Sequence, residues 1–401
     1  MLRELPGKDA DELTLIVSDL EIKVESGTFV RDLTTGADGF TAVIPWEPGA
    51  DKKLDKITAP FSYAQAGIYI GGKLQSEMIL YDVTQKTDTR SEKTLEFWTK
   101  TADIIDSTLI APYEANNIKL TDRCKQQCNP FGINVIVGDD AAKKLLETKK
   151  ITYTDPKARQ FNVAASTYNV LHLRPIIKKV PDTFSKFVTD EKKFPRVKGE
   201  PTDTIFKHLA ELAAQRGLLL TCTTTGDLLI TMANVNSKPV GTIEEGKYQL
   251  APGYVASWKG RDRFALYRAM VQSSGSKKAK AVQIAEDKVV KAVAPRILTF
   301  NADESLPGEA KSAAEWRRNK TAADAMSFTF PVNSWYAPDG TLWIPNTTVT
   351  IISPTMGVKN GFTFLIRAVK LEYKSGGTTG ELDLVPPSVF TTGEISEPWL
   401  A

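Results

Sequence analysis

The 401-residue chain is 25% charged and 42% hydrophobic, the balance of an ordinary globular protein, which excludes an intrinsically disordered chain. Its formal charge of +3 is unevenly spread: residues 141–200 hold 14 Lys and Arg against 6 Asp and Glu, a net of +8, and the remainder holds 37 against 42, a net of −5. The basic block is local and diffuse, which argues against a nucleic-acid stripe and fits a solvated face or an acidic partner surface.

In chain order, the N-terminal MLRELPGKDADELTLIV lacks a basic stretch followed by an apolar one, so no secretory signal is expected and folding in a cytoplasm is. Leu13, Leu15 and Val17, then Leu20, Ile22 and Val24, alternate with polar residues at the period of two of a half-buried strand. Residues 40–46, 62–70, 73–82 and 93–99 read as further strands, and Gly71-Gly72 as a tight hairpin turn. Five or six short strands so spaced predict a small antiparallel barrel or sandwich over residues 1–100.

A mixed region follows over 101–240. Leu120 to Asn129 reads as a helix ended by Pro130 and Gly132, Ile133 to Val137 as a strand, and Ala141 to Lys149 as a helix capped by Asp139-Asp140. Over residues 150–200 Pro156, Pro175, Pro181 and Pro195 interrupt every candidate element. The clearest helix spans 202–216, with Ile205, Leu209 and Leu212 on one face and Gly217 as its C-terminal cap. A hairpin of Leu218–Cys222 and Leu228–Met232 turns at Thr225-Gly226-Asp227.

From 241 to 401 the β pattern returns. Residues 254–258 and 264–272 read as strands, Ser273 to Lys280 as a mobile loop, and Glu309 to Met326 as an Ala-rich helix. The stretch SFTFPVNSWYAPDGTLWIPNTTVTII, residues 327–352, is a strand, an aromatic loop turning at Pro338-Asp339-Gly340, and a second, β-branched strand. Phe362 to Tyr373, the turn Ser375-Gly376-Gly377, and Glu381 to Val385 make a last hairpin. No roughly 20-residue apolar run is present, so no membrane insertion is expected, and no internal repeat is visible by exact match.

Chemistry-bearing residues are few. The two histidines, His172 and His208, read as structural, and Cys124, Cys128 and Cys222 supply neither a disulfide framework nor the four ligands of a zinc site. Gly71-Gly72 lacks the Lys-Ser/Thr of a phosphate loop. Asp103 and Asp106 could act as a carboxylate pair in a cell-wall hydrolase, but capping or ion pairing is the preferred reading. Trp335, Tyr336 and Trp343 could stack on sugars in a carbohydrate-binding module, but aromatic loop residues more often anchor a loop to its own core or to a partner subunit. No catalytic residue, metal ligand or cofactor is expected.

Three stretches carry a resemblance. Thr101-Ala102-Asp103-Ile104-Ile105-Asp106 is similar to an Ala-Asp-Leu-Ile-Asp element. LAAQRGLLLTCTTTGDLLI, within residues 205–230, is similar to a helix, Gly and hairpin unit. DGTLWIPN, residues 339–346, is similar to an Asp-Gly-x-Leu-Trp-x-Pro-Asn loop. Their order resembles the baseplate hub proteins of Mu-like contractile-tailed phages and, more distantly, the hubs of T-even phages and of type VI secretion spikes. Phe97-Trp98-Thr99 departs from the Gly-Arg usual in that family, and relative to it the basic stretch 140–195 looks like an insertion. The resemblance implies an α+β, β-rich fold with two tube-protein-like antiparallel β-barrels flanking the mixed middle. It further implies a homotrimeric hub ring around a DNA channel, in the tail baseplate of a virion and assembled in the host cytoplasm. Its partners would be the central spike, the tail tube or tube-initiator protein, the baseplate wedge proteins and the tape-measure protein, with DNA only in transit. Asp339, Gly340, Leu342, Trp343, Pro345 and Asn346 would form a structural loop and subunit-contact motif.

Overall fold

The structure, a computed structural model, describes residues 9–87, 91–152, 185–247, 253–270, 282–302, 310–374 and 377–391, and the single positions 4, 5, 7, 394, 395 and 397. The loop expected at Ser273–Lys280, most of the basic insertion (153–184) and the Ser375-Gly376 part of the last turn lie outside the described residues.

The first β region runs β1 (Leu13–Val17), β2 (Leu20–Ile22), β3 (Ser26–Asp32), β4 (Gly39–Pro45), α1 (Lys52–Ile57), β5 (Gln65–Ile70), β6 (Lys73–Thr87) and β7 (Ser91–Trp98). Alternation fixes which face is buried: Lys93, Leu95 and Phe97 of β7 point inward between half-buried neighbours. Gly71 and Gly72 both take positive φ, at 57° and 73°, as the expected tight turn between β5 and β6 requires. Strand β3 and helix α1 were not anticipated. The SGTFVRD of β3 has little alternation, and α1 is a single short turn that rests on its cap, Asp51, which accepts from the Lys53 and Leu54 amides.

The middle region holds α2 (Ala102–Asp106), β8 (Glu114–Lys119), α3 (Leu120–Cys128), β9 (Val135–Val137), α4 (Asp139–Leu145), β10 (Leu146–Thr152), β11 (Ser185–Glu191), β12 (Lys193–Lys198), α5 (Ile205–Gln215), β13 (Leu219–Cys222) and β14 (Leu228–Thr231). Helix α5 is the expected one: Thr204 caps it, Ile205, Leu209 and Leu212 are fully buried, and Gly217 follows at φ 63°. Helix α4 is shorter than the expected 141–149 and is capped by Gly138, with Asp139 and Asp140 in its first turn. At Leu146 the chain becomes β10 and pairs with β11, some forty residues later, a long-range partner that local pattern does not reveal.

The second β region runs β15 (Thr242–Glu244), β16 (Val255–Trp258), β17 (Leu266–Met270), β18 (Val282–Glu286), α6 (Lys288–Lys291), β19 (Ile297–Asn301), α7 (Ala310–Asp324), β20 (Met326–Val332), β21 (Thr348–Ser353), β22 (Val358–Lys374) and β23 (Gly377–Val385). In β20, Met326, Phe328, Phe330 and Val332 are all buried and the residues between them are not. Strands β17, β18 and β19 form a small separate sheet packed on α7 around buried Tyr267.

The fold is thus β-rich with a mixed centre, but two separately closed barrels are not found among the described residues. The two β regions join in one sheet of 13 strands, in the order β16-β20-β23-β22-β3-β4-β7-β6-β5-β1-β2, with β21 and β15 alongside β22. The reason is the length of β22. Its N-terminal part pairs with β21 and, past a bulge at Arg367, Ala368–Tyr373 pair with Asp32–Gly27 of β3. One strand therefore belongs to both β regions, and one apolar core runs through both. The first region still curls: a Cβ on Gly27 of β3 would lie 3.1 Å from the Leu13 side chain of β1, strands far apart in the sheet order.

The order also contains a repeat. The first region reads β3-β4-β7-β6-β5-β1 and the second β16-β20-β23-β22-β21-β15. Registers coincide in detail. Ile79 and Leu80 of β6 face Trp98 and Phe97 before a bulge at Tyr81; Leu365 and Ile366 of β22 face Val385 and Leu384 before the bulge at Arg367. The β5–β6 ladder slips after Ile68, the β21–β22 ladder after Ile351. The last strands differ: β1 is antiparallel to β5 and carries β2, whereas β15 is parallel to β21.

Candidate assembly site at the aromatic loop

The loop between β20 and β21, residues 333–347, is built from the inside out. Trp335 and Trp343 are each 1% exposed. The Trp335 indole donates to the carbonyls of Glu372 and Thr379, tying the loop to β22 and β23, and its ring lies 6.4 Å from that of Tyr373. The Trp343 indole donates to the Ser334 carbonyl, and its amide to the Trp335 carbonyl. Satisfying each buried N–H in this way removes the penalty of burying a polar group, so both rings add their full apolar area to the core.

The tip turns at Asp339-Gly340. Gly340 has φ 85°, where a side chain would be strained although the space around it is open. Asp339 accepts from the Thr341 amide and hydroxyl, and those bonds hold its carboxyl below the usual carboxylate range. The tip is exposed, Leu342 and Pro345 are half-buried, and Ile344 is exposed. Pro338 packs on Gly241, where a Cβ would lie 2.5 Å from its ring, and the Tyr336 hydroxyl donates to the Ala10 carbonyl beside the Gly71-Gly72 turn.

Asn346 closes the loop and has φ 66°, which Asn tolerates better than most side chains. Its amide donates to the Ile366 carbonyl at the start of the β22 bulge. Its side chain donates to the Met232 carbonyl and accepts from the Asn234 amide, at the exit of β14. One residue thus joins the loop, the strand shared by both β regions, and the middle region. Sequence reasoning singled out Asn346 but not its partners Met232, Asn234 and Ile366. A tolerance for positive φ ahead of a β-branched run was the only signal available.

The repeat gives this loop a counterpart. Leu80 donates to the Ala64 carbonyl as Ile366 donates to the Thr347 carbonyl, and Tyr63, with φ 47°, stands where Asn346 stands. The first loop is less enclosed: Phe61, also at positive φ, is 79% exposed and Tyr63 56%. The Tyr63 ring meets that of Tyr81, the bulge residue of β6, edge to face.

Of the other candidates, His172 lies outside the described residues, and those described are held in structural roles. Asp103 accepts from the Tyr81 hydroxyl at 2.7 Å, and burial and this carboxylate push the phenol's pKa up; Asp106 is exposed. Cys124 and Cys128 lie buried in the middle core, where burial raises both thiols, Cys128 to about 12. His208, next to fully buried Arg123, is pushed down to about 4 by burial and then by that guanidinium. Among the described residues no three His, Cys, Asp or Glu side chains gather as a metal site, and no helix is long and apolar enough to cross a membrane. Trp335 and Trp343 face the core and offer no open ring face for a sugar.

Comparison with known proteins points one way. Residues 306–393, which contain the whole loop, match the fourth domain of the Mu phage baseplate assembly protein GpP. The baseplate hub protein gp44 of Escherichia phage Mu is 23% identical over 49% of this chain, and the chain spans about half the length of that curated relative. The 43 kDa tail protein of prophage MuSo2 from Shewanella oneidensis superimposes with a TM-score of 0.68 at 22% identity, over 95% of this chain and 100% of that one. A tail protein from Neisseria meningitidis gives 0.70 at 16%, over 95% and 98%. The Escherichia coli c3393 protein, a type VI secretion component described as similar to the T4 tail proteins gp27 and gp5, gives 0.52 at 8%, over 96% and 79%. None of these relatives is described as an enzyme. The chain therefore resembles the Mu-type baseplate hub proteins in sequence and shares, along nearly its whole length, the fold of phage tail proteins.

Proposed function

We propose that the protein is the structural hub of a contractile phage baseplate, a trimeric ring that joins a central spike to the tail tube and surrounds the channel through which DNA passes. The observation that carries this reading is the repeat: one chain holds two half-sheets of the same strand order and bulge positions. Three such chains present six similar units to a sixfold tube while keeping threefold symmetry for a spike, which makes them a symmetry adaptor. On this reading residues 1–100 and 241–401 are the two tube-like modules, 101–240 with its basic insertion is the middle region, and the exposed rim of DGTLWIPN contributes to subunit contact. Partners are a second and third copy, the spike, the tube or tube initiator, wedge proteins and the tape-measure protein. The place of action is the virion's tail, assembled in the host cytoplasm. The relatives described above are tail and baseplate components, which supports the reading.

The test is mass. Purified protein, alone and mixed with a baseplate spike protein, is measured by light scattering across a concentration series. A species of three chains is expected, with subunit contacts on the order of 2,000 Å² or more. A monomer at every concentration, with the spike present, would overturn the proposal.

A further inference from the structure

The repeat makes the internal seam a template for an external one. Inside the chain, the two half-sheets join where β22, past its bulge, pairs with β3: Ala368 faces Asp32, Lys370 faces Val30 and Tyr373 faces Gly27. The repeat maps β22 onto β6 and β3 onto β16. The other two members of the relationship are thus the end of β6 beyond Tyr81 and the strand β16. Both are sheet edges. Beyond Leu80, β6 is paired by β7 alone among the described residues, and β16 is the end strand of the sheet, paired to β20.

We propose that Asp82–Thr87 of one copy pair antiparallel with Val255–Trp258 of a second copy, in the register of the internal seam. That register puts Val83 opposite Trp258, Thr84 opposite Ser257, Gln85 opposite Ala256 and Lys86 opposite Val255. The inference rests on the hub reading only for the number of copies; the seam itself comes from the repeat. Each half-sheet then uses both of its joining edges, one within the chain and one across it. The contact is head-to-tail, the kind that propagates around a ring until it closes.

Two further observations favour a second copy as the occupant. An open strand edge is a template for another strand, and proteins that leave one unused usually shorten or bulge it away. Here the edge of β6 is six residues long and begins at a bulge that, in the other half, directs the strand into its pairing partner: Leu33 donates to the Arg367 carbonyl there. Large apolar side chains also flank both edges. Val255 and Trp258 of β16 are 58% and 50% exposed, and the Phe61–Tyr63 turn lies against Tyr81 at the root of the β6 edge. On the internal side the equivalent turn is covered, through Asn346, by residues 232–234.

A disulfide trap tests it. Facing residues in antiparallel strands have Cα atoms about 4.5–5.5 Å apart, within the span a disulfide bridges. The double variant Thr84→Cys/Ser257→Cys is oxidised as the full chain, and the products are read on a non-reducing gel and by peptide mapping. The native cysteines Cys124, Cys128 and Cys222 are buried and serve as background in single-variant controls. Lys370→Cys/Val30→Cys, the same pair in the internal seam, should close within one chain. The expected result is an 84–257 bond between chains, with linked species rising to a closed ring, and no comparable bond for the displaced pair Thr84→Cys/Val255→Cys. Oligomers of full mass without the 84–257 bond, or with the displaced bond preferred, overturn the seam and leave the hub reading standing. The 84–257 bond in rings of a copy number other than three supports the seam and overturns the trimer.

Discussion

The two loops that close the half-sheets do the same geometric job with opposite chemistry. In the second half the turn into β21 buries two tryptophans, satisfies both indoles, and ends in Asn346, which is fastened to the middle region. In the first half the turn into β5 ends in Tyr63, and its apolar side chains, Phe61 above all, face outward. Both loops set a left-handed residue ahead of the strand, and in each the next carbonyl accepts from the amide that precedes the bulge, Ala64 from Leu80 of β6 and Thr347 from Ile366 of β22. What differs is where the covering surface comes from. The second loop is covered by its own chain. Among the described residues the first has no bonded equivalent of residues 232–234, which fits a loop whose cover arrives with another copy.

Removing the buried ring tests that contrast hardest. Trp343→Ala leaves a cavity the size of an indole and strands the Ser334 carbonyl, and a loss of about 3–5 kcal/mol is expected in denaturant unfolding. Phe61→Ala, at a ring 79% exposed, should move stability by no more than about 0.5 kcal/mol. Equal losses at the two sites would break the comparison. Normal stability and assembly from Trp343→Ala protein would show that the loop's buried face is not structural.

Acid reaches the same contrast through the middle region. His208 titrates near 4 in the folded chain and near 6.5 when unfolded. Between those values the unfolded chain binds the proton and the folded chain does not, so stability is complete above about pH 6.5 and is lost as pH falls towards 4. The shift corresponds to about 3 kcal/mol. His208→Asn should flatten the slope. The second loop, tied to the middle region by Asn346, should loosen with it on acidification, read as a change in tryptophan fluorescence. An unchanged slope in the variant would remove His208 as the cause.

How much of this was legible in sequence depended on the range of each interaction. The α5 helix, its Gly217 cap, the Gly71-Gly72 hairpin and the alternation of β20 all follow from residues within a few positions of each other, and the sequence pattern located them. Strand β3, the early end of α4 and the junction at β22 depend on partners tens to hundreds of residues away. The repeat was invisible because it resides in register and bulge position: Tyr81 and Arg367, or Tyr63 and Asn346, match in backbone geometry and not in identity. DGTLWIPN was legible as a turn with aromatics. That Trp343 is core and Asn346 a three-way tie depended on the distant carbonyls and amides they meet.

Asn346→Ala isolates the tie. It removes the bonds to Met232 and Asn234 and places a side chain less tolerant of positive φ at 66°, so a loss of about 2 kcal/mol is expected from chemical denaturation. Asn346→Gly keeps the backbone relaxed while losing the same bonds, and should lose less. If the two variants fall equally, backbone strain is not part of the cost and the likeness between Asn346 and the strained first turn is only apparent.

The smallest effect is the most discriminating, because its sign differs between the free chain and the assembly. Phe61 sits at φ 61°, a conformation costing an ordinary L residue about 1–2 kcal/mol, and its exposed ring recovers little of that in the free chain. Phe61→Asn should therefore stabilise the monomeric fold by roughly 0.5–1 kcal/mol, since Asn visits the left-handed region at lower cost. A strained, outward-facing aromatic is retained at a stability cost where its ring is used on the outside of the molecule. If the first loop is covered by a neighbouring copy, Phe61→Asn protein will unfold at higher denaturant concentration and assemble less well, a combination that a surface residue without a partner cannot produce. Greater stability with unchanged assembly would leave the strain at Phe61 without a use in the ring and would confine the subunit contact to the strand edges themselves.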